Sequence, residues 1–383
     1  MGVKMKIALI GPVYPYKGGI SHYTSLMCRI LRENHQVFIY SFKLQYPRFL
    51  FRKAQKDYRD DSFAVPDTNY LINTINPFNW FTSARQIKKQ NIEAVIFQWW
   101  HPYFAPCYFF MAKLLKQQKV IFVCHNVFPH ERFPLDRFLT KLVLKKGDGF
   151  IVHTHLDEKD LLAINPQAVY RVNPHPTYNI FKQAGMTKNA ARLLIGSDEH
   201  TPLLLFFGFV REYKGLKHLL RALPLIKEKL PDICLWIVGD FAGDKQFYLD
   251  LISELAIVEN IHIVDEYVSN QEVEKYFTAT DLVVLPYESA TGSGIAQIAY
   301  GFEKPVIVTN VGGLPDVVKN GKTGYIVEPN NPKLLADAIL RYFDEGKPDD
   351  FRENIKIIND EFSWERMAGQ ITALINHNHE VQS

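Results

Sequence analysis

Cysteine is scarce in this chain. There are four in 383 residues, Cys28, Cys107, Cys124 and Cys234, and their spacing fits neither a zinc site nor a redox pair. They read as buried thiols of a reducing compartment. Long apolar runs are also missing. The richest, 97–115, is broken by His101, Pro102, Pro106 and Lys113, short of the roughly 20 residues that span a bilayer. The opening MGVKMKIALIG runs straight into a strand-like segment, so no signal peptide is expected. The expected location is cytoplasmic, with the inner face of a membrane as a peripheral option. Several signatures are absent as well. Without G-x-G-x-x-G there is no dinucleotide fingerprint, and without G-x-x-x-x-G-K-[ST] no P-loop. Without G-x-S-x-G or H-E-x-x-H there is no hydrolase elbow and no zincin helix. Without D-x-D nothing suggests a metal clamp on a diphosphate, and no metal site is expected.

The length asks for two domains, and 47% hydrophobic residues are ample for two cores. The net charge of +3 hides an imbalance. Residues 1–180 carry 24 Lys and Arg against 12 Asp and Glu, and residues 181–383 carry 20 against 29. The basic half is densest at Phe42–Arg59, FKLQYPRFLFRKAQKDYR, where cations interleave with aromatics. That mixture suits an anionic membrane surface or a phosphorylated acceptor, and equally a solvated face. Nucleic acid is not an expected partner, because no finger, RNP or helix-turn-helix pattern is present and half the chain is acidic.

Strand-like runs in the first half are Lys6–Ile10, Gln36–Tyr40, Ala94–Phe97, Val120–Cys124 and Gly149–His153. Helical patterns at Tyr23–Arg32, Tyr108–Lys116 and Leu135–Lys145 alternate with them. The second half repeats the scheme, with strands Leu203–Phe207, Cys234–Val238, Ile261–Val264, Leu282–Leu285, Val306–Thr309 and Tyr325–Val327. Its helices include Leu216–Leu230, Asn270–Phe277, Gly294–Phe302 and Pro332–Phe343. Continuous apolar strands alternating with helices argue a parallel sheet covered on both faces. The Pro- and Gly-rich stretch Asn173–Thr201 breaks the pattern. The expected class is therefore α/β, with two doubly wound domains, 1–175 and 176–362, facing across a cleft. A helical pattern at Ser363–His377 is expected to pack back, with 363–383, on the first domain.

Loops that follow parallel strands are where ligands bind in such folds. Gly11–Ser21, GPVYPYKGGIS, follows the first strand; Gly18 and Gly19 allow close backbone approach, and Ser21 is a good N-cap. His125 stands just past Val120–Cys124, with His130 and Glu131 further along that loop and His153 after the next strand. Arg211 and Lys214 precede the helix that starts near Leu216. Two cations there oppose the helix dipole unless an anion is bound. Thr291, Gly292, Ser293 and Gly294 precede a helix in the same way, with amides suited to cradle an anion, Ser293 as N-cap and Glu288 nearby. Gly312-Gly313-Leu314-Pro315 is a further tight turn.

The run GFVREYKG, then VGD at Val238–Asp240, then KPVIVTNVGGLPDVV and NGKTGYIV, resembles the C-terminal domain of family-4 retaining glycosyltransferases of the GT-B fold. The first half agrees more loosely, through Gly18-Gly19, His125-Asn126 and the IVHT strand. The resemblance implies two Rossmann-like domains and transfer of a sugar from a nucleotide diphosphate sugar, which is a substrate rather than a cofactor. It gives Lys214 the place of the family's motif lysine, while Phe209 stands where the motif arginine is expected and Arg211 takes over its charge. His125 matches the histidine that contacts the donor sugar or its phosphate, and Gly18 and Gly19 the loop near the diphosphate. Asp240, Tyr267, Val268, Glu288, Thr291, Gly292, Ser293, Gly294 and Gln297 fall among the implied donor-binding positions. The family's E-x7-E pair is missing. Aligned on Gly294 its positions are Thr291 and Ala299, and aligned on Pro305 the second is Ile298. Glu288 and Gln297 are the candidate replacements. The implied acceptor is a sugar, lipid-linked or part of a surface polysaccharide. The alternatives are a silent binding protein and a nucleotide-sugar epimerase on the same fold.

Overall fold

A computed structural model describes residues 4–51, 54–129, 134–182, 185–241, 243 and 245–377. The chain divides into two compact units, one made of 1–174 and 363–383 and the other of 175–362. In the first unit the strands are β1 (Lys6–Ile10), β2 (Gln36–Leu44), β3 (Asn69–Asn73), β4 (Ala94–Trp99), β5 (Lys119–Cys124), β6 (Gly149–Val152) and β7 (Tyr170–Val172). They form one parallel sheet in the order β3-β2-β1-β4-β5-β6-β7. Side chains alternate across it. Ala8 and Ile10 enter one core with Val95 and Phe97, and Ile7 and Leu9 enter the other with Ala94 and Ile96. Burial on both faces explains why these strands read as unbroken apolar runs.

The second face is closed by the terminal helix Trp364–Asn376, which brings Met367, Ile371, Leu374 and Ile375 into that core. Their spacing makes one apolar stripe, and Ser363 caps the helix by accepting from Arg366 N–H at 3.2 Å.

The second unit holds β8 (Leu203–Phe207), β9 (Cys234–Val238), β10 (Ile261–Val264), β11 (Leu282–Leu285), β12 (Val306–Thr309) and β13 (Gly324–Val327). All are parallel, in the order β10-β9-β8-β11-β12-β13. Both sheets are thus Rossmann-like and doubly wound. Two strands escape the apolar pattern, β3 and β7. Both are edge strands; β3 buries one residue fully and β7 none, so neither has the hydrophobic run of an interior strand. The first helix also starts earlier than its N-cap signal suggests. It spans Gly19–Asn34 with Gly18 as cap, so Ser21 is a buried first-turn residue and does not cap the helix. The four cysteines are free and buried. Among the described residues no helix is long and apolar enough to cross a membrane.

Candidate active site

In the second sheet the order of connection reverses between β8 and β11. The carboxyl ends of those two strands mark the switch point, the place where open α/β sheets bind ligands. The loop after β8 carries Arg211 and Lys214, and the loop after β11 carries Glu288 and 291–294. The two loops are fastened together. Glu288 N–H donates to the Tyr213 carbonyl at 2.7 Å. Gly215 adopts φ 66°, and a Cβ on it would stand 2.0 Å from the Pro286 carbonyl oxygen, so only glycine fits there.

Lys214 ends a short 3-10 turn, Glu212–Lys214, and is 8% exposed. Burial first, and then the nearby Arg211, lower its pKa to about 8. Its ammonium lies 5.6 Å from the centre of the Tyr287 ring, a cation–π contact. Among the described residues it has no carboxylate and no hydrogen-bond acceptor. Arg211 is exposed beside it. A buried cation without a counter-ion is costly and needs a compensating anion. Tyr287 is itself buried, its hydroxyl 3.3 Å from Ser293 Oγ, and Ser293 accepts from Ile295 N–H at 3.3 Å as cap of the helix Gly294–Gly301. One chain of contacts thus runs from the lysine to the helix start.

Glu288 is placed differently from a ligand-reading carboxylate. Its Oε1 lies 2.9 Å from Lys217 Nζ and 3.0 Å from His218 Nε2. Partial desolvation works to raise its pKa, but the hydrogen bonds to Lys217 and His218 outweigh it and hold the carboxyl below its usual value. Gln297, an expected donor-binding residue, is wholly buried and presents no surface to a ligand, and among the described residues both polar atoms of its amide lack a partner. Thr291 is braced from behind, its carbonyl accepting from Gly313 N–H at 2.8 Å, while Gly292 and Gly294 are exposed. Asp240 follows β9 and its carbonyl accepts from Val210 N–H at 3.0 Å; Tyr267 faces Phe209 at 6.2 Å between ring centres; Val268 is 8% exposed. Sequence reasoning missed Lys217, His218 and Tyr287, although a histidine one turn into an apolar helix was a visible signal.

In the first unit Gly18, at φ 105°, and Gly19 open the helix Gly19–Asn34, with open space where their side chains would be. His125 is half-buried past β5, and its Nε2 lies 2.7 Å from Gln98 Oε1. Tyr23 meets the ring edge-on at 4.5 Å and His153 lies 5.5 Å away, while Trp364 packs on Tyr23 at 5.0 Å. His153 bonds to the Asn173 carbonyl at 2.8 Å, and burial lowers its pKa to about 4. His130 and Glu131 lie outside the described residues. The basic stretch 42–59 divides. Phe42 is core, and Tyr46 packs on Phe104 and takes the Trp100 N–H at 3.1 Å. Arg48, Phe49, Leu50, Phe51 and Tyr58 are exposed, and Arg52 and Lys53 lie outside the described residues.

Residues 189–358 match the family model of the glycosyl transferases group 1, and that stretch lies wholly within the second unit. The chain is 26% identical over 219 residues to D-inositol 3-phosphate glycosyltransferase of Corynebacterium diphtheriae, covering 55% of this chain and 51% of that protein. It is 33% identical over 167 residues to the protein of that name from Pseudarthrobacter chlorophenolicus, covering 43% and 39%. The match therefore spans about half the length of these relatives. Among solved structures, a glycosyltransferase from Rickettsia africae superposes with TM-score 0.74 at 20% identity, covering 98% of each chain. HepE from Anabaena, solved with UDP-glucose, gives 0.74 at 14% identity, covering 96% of this chain and 99% of that one.

Proposed function

We propose that this chain, in which residues 189–358 match the glycosyl transferases group 1 model, moves a sugar from a nucleotide diphosphate sugar to an anionic acceptor, with retention at the anomeric carbon. The observation that carries this is Lys214, a buried ammonium with no counter-ion among the described residues, at the switch point of a Rossmann-like sheet. Breaking a glycosyl–diphosphate bond leaves negative charge on the departing phosphate and positive charge on the sugar. Arg211, Lys214 and the amides at Ser293–Gly294 balance the former. Each such donor is worth about 3 kcal/mol, or roughly 100-fold in rate. The named ligand of HepE, UDP-glucose, belongs to the donor class proposed here.

His125, at the strand ends of the first unit, is assigned contact with the transferred sugar. With no carboxylate in the E-x7-E positions, attack on the same face, assisted by the leaving phosphate, accounts for retention. With no D-x-D in the sequence, turnover is expected to persist in chelator. The acceptor is proposed to carry phosphate, as a lipid-linked sugar or a phosphorylated polyol. The cation surplus of 1–180 suits such an acceptor, and the names of the curated relatives specify one.

The test is calorimetry with UDP-, GDP- and ADP-sugars on the wild type and Lys214→Ala, followed by transfer assays on the donor that binds. Binding of one donor, lost in the variant, supports the assignment; equal binding by both proteins removes Lys214 from the site. The missing acid pair favours one second reading, a silent binder. Slow hydrolysis of donor without acceptor would rule it out. Liposome flotation with charge reversal at Lys43, Arg48 and Arg59 checks the peripheral membrane contact, which predicts loss of flotation with donor binding intact.

A further inference from the structure

Resting on the transfer function proposed above, in which His125 contacts the sugar, we infer that Gln98 is a positioning residue that fixes the tautomer of His125. Gln98 is the one polar residue of β4, AVIFQW, and it is wholly buried. An amide in that position needs partners on both of its ends. Its Oε1 lies 2.7 Å from His125 Nε2, and its Nε2 lies 3.8 Å from the sulfur of Met27.

The thioether decides which way the amide points. Methionine sulfur accepts weakly and donates nothing. Turning the amide over would set its carbonyl against that sulfur with no donor, out of reach of water. The amide therefore offers the histidine an acceptor, and the ring answers with Nε2–H. A neutral ring held this way keeps its lone pair at Nδ1. Space for the arrangement comes from Gly11, directly after β1. A Cβ there would stand 2.6 Å from Gln98 Cγ, so any larger residue displaces the amide.

Among the described residues near the ring, burial sets the state of His153 and Cys124. Burial holds His153 neutral at pH 7, with its pKa lowered to about 4. Burial also pushes the Cys124 thiol, one residue before His125, well up. Asp157 accepts from Val127 N–H at 2.9 Å and from the Thr154 hydroxyl at 2.7 Å. Tyr23 presents its ring edge-on.

Side-chain 15N spectra of His125 in the full-length wild type, Gln98→Met, Gln98→Asn and Gln98→Glu test the assignment. The wild type should show a single Nε2–H tautomer. The Met and Asn variants should show both tautomers, the shorter Asn serving if Met fails to fold. Gln98→Glu should raise the His125 pKa by about 1–3 units and shift the acidic limb of the kcat/KM profile upward with it. Transfer by Gln98→Met should fall about tenfold or more in kcat, with donor KM little changed. Identical tautomers and pKa values in all four proteins would overturn the role of Gln98. Altered spectra with unaltered transfer would instead leave Gln98 in place and remove His125 from the reaction.

Discussion

At pH 7 the folded chain keeps Lys214 charged in a place where burial, and secondarily Arg211, favour the neutral amine. The folded pKa of about 8 is below the ordinary 10.5, so the unfolded chain holds more protons between those two values. Stability from this residue is therefore lowest below pH 8 and rises as pH climbs through the window. The penalty at pH 7 is on the order of 3 kcal/mol. Lys214→Met is accordingly expected to stabilise the apo protein by about 1–3 kcal/mol in urea melts at pH 7, while transfer drops about 100-fold or more. A loss of stability in that variant would show that the lysine is already compensated. The same titration offers a test of the proposed ligand contact. If the ammonium form binds diphosphate, affinity measured by calorimetry should fall about tenfold per unit as pH rises above 8. A flat profile from pH 7 to 9.5 would exclude Lys214 from the contact.

The loop after β8 is docked on the loop after β11, through the Tyr213 carbonyl and the close approach of Gly215 to Pro286. Gly215→Ala combines a positive φ with a clash against the Pro286 carbonyl, and should cost about 2 kcal/mol or more. Its nucleotide affinity should fall with Lys214 still present, a result calorimetry can separate from simple unfolding. Five of the six strands of this sheet, β8 to β12, begin and end where the apolar runs in the sequence do; four of them are interior strands, hydrophobic on both faces, and the edge strand β10 keeps Ile261, Ile263 and Val264. Edge strands β3 and β7 lacked that signal. In the loops, residue type pointed to Arg211, Lys214 and Ser293, since cations and small residues between a strand and a helix are conspicuous. Pairing was hidden. No spacing in the sequence announces that Glu288 is bound by Lys217 and His218, or that Gln98 bonds to His125 across 27 positions. A glutamine inside an otherwise apolar strand was the readable clue, and it applies to Gln98.

The first unit is discontinuous, with the helix Trp364–Asn376 completing a core begun before residue 175. Leu374→Ala, at a site with no exposure, should cost about 2–5 kcal/mol. Scanning calorimetry should place the loss in one transition, with nucleotide binding by the second unit kept. Equal shifts of both transitions would mean the units melt as one. The same topology sets an order on biogenesis. The ribosome must deliver the whole of 175–362 before the closing helix emerges, about 10–40 s at roughly 5–20 residues per second. For that interval the β5–β6 part of this face, with Ile121, Val123 and Ile151, lacks the cover that the last helix gives it. Newly made chains should therefore depend on chaperone holding more than the finished protein does.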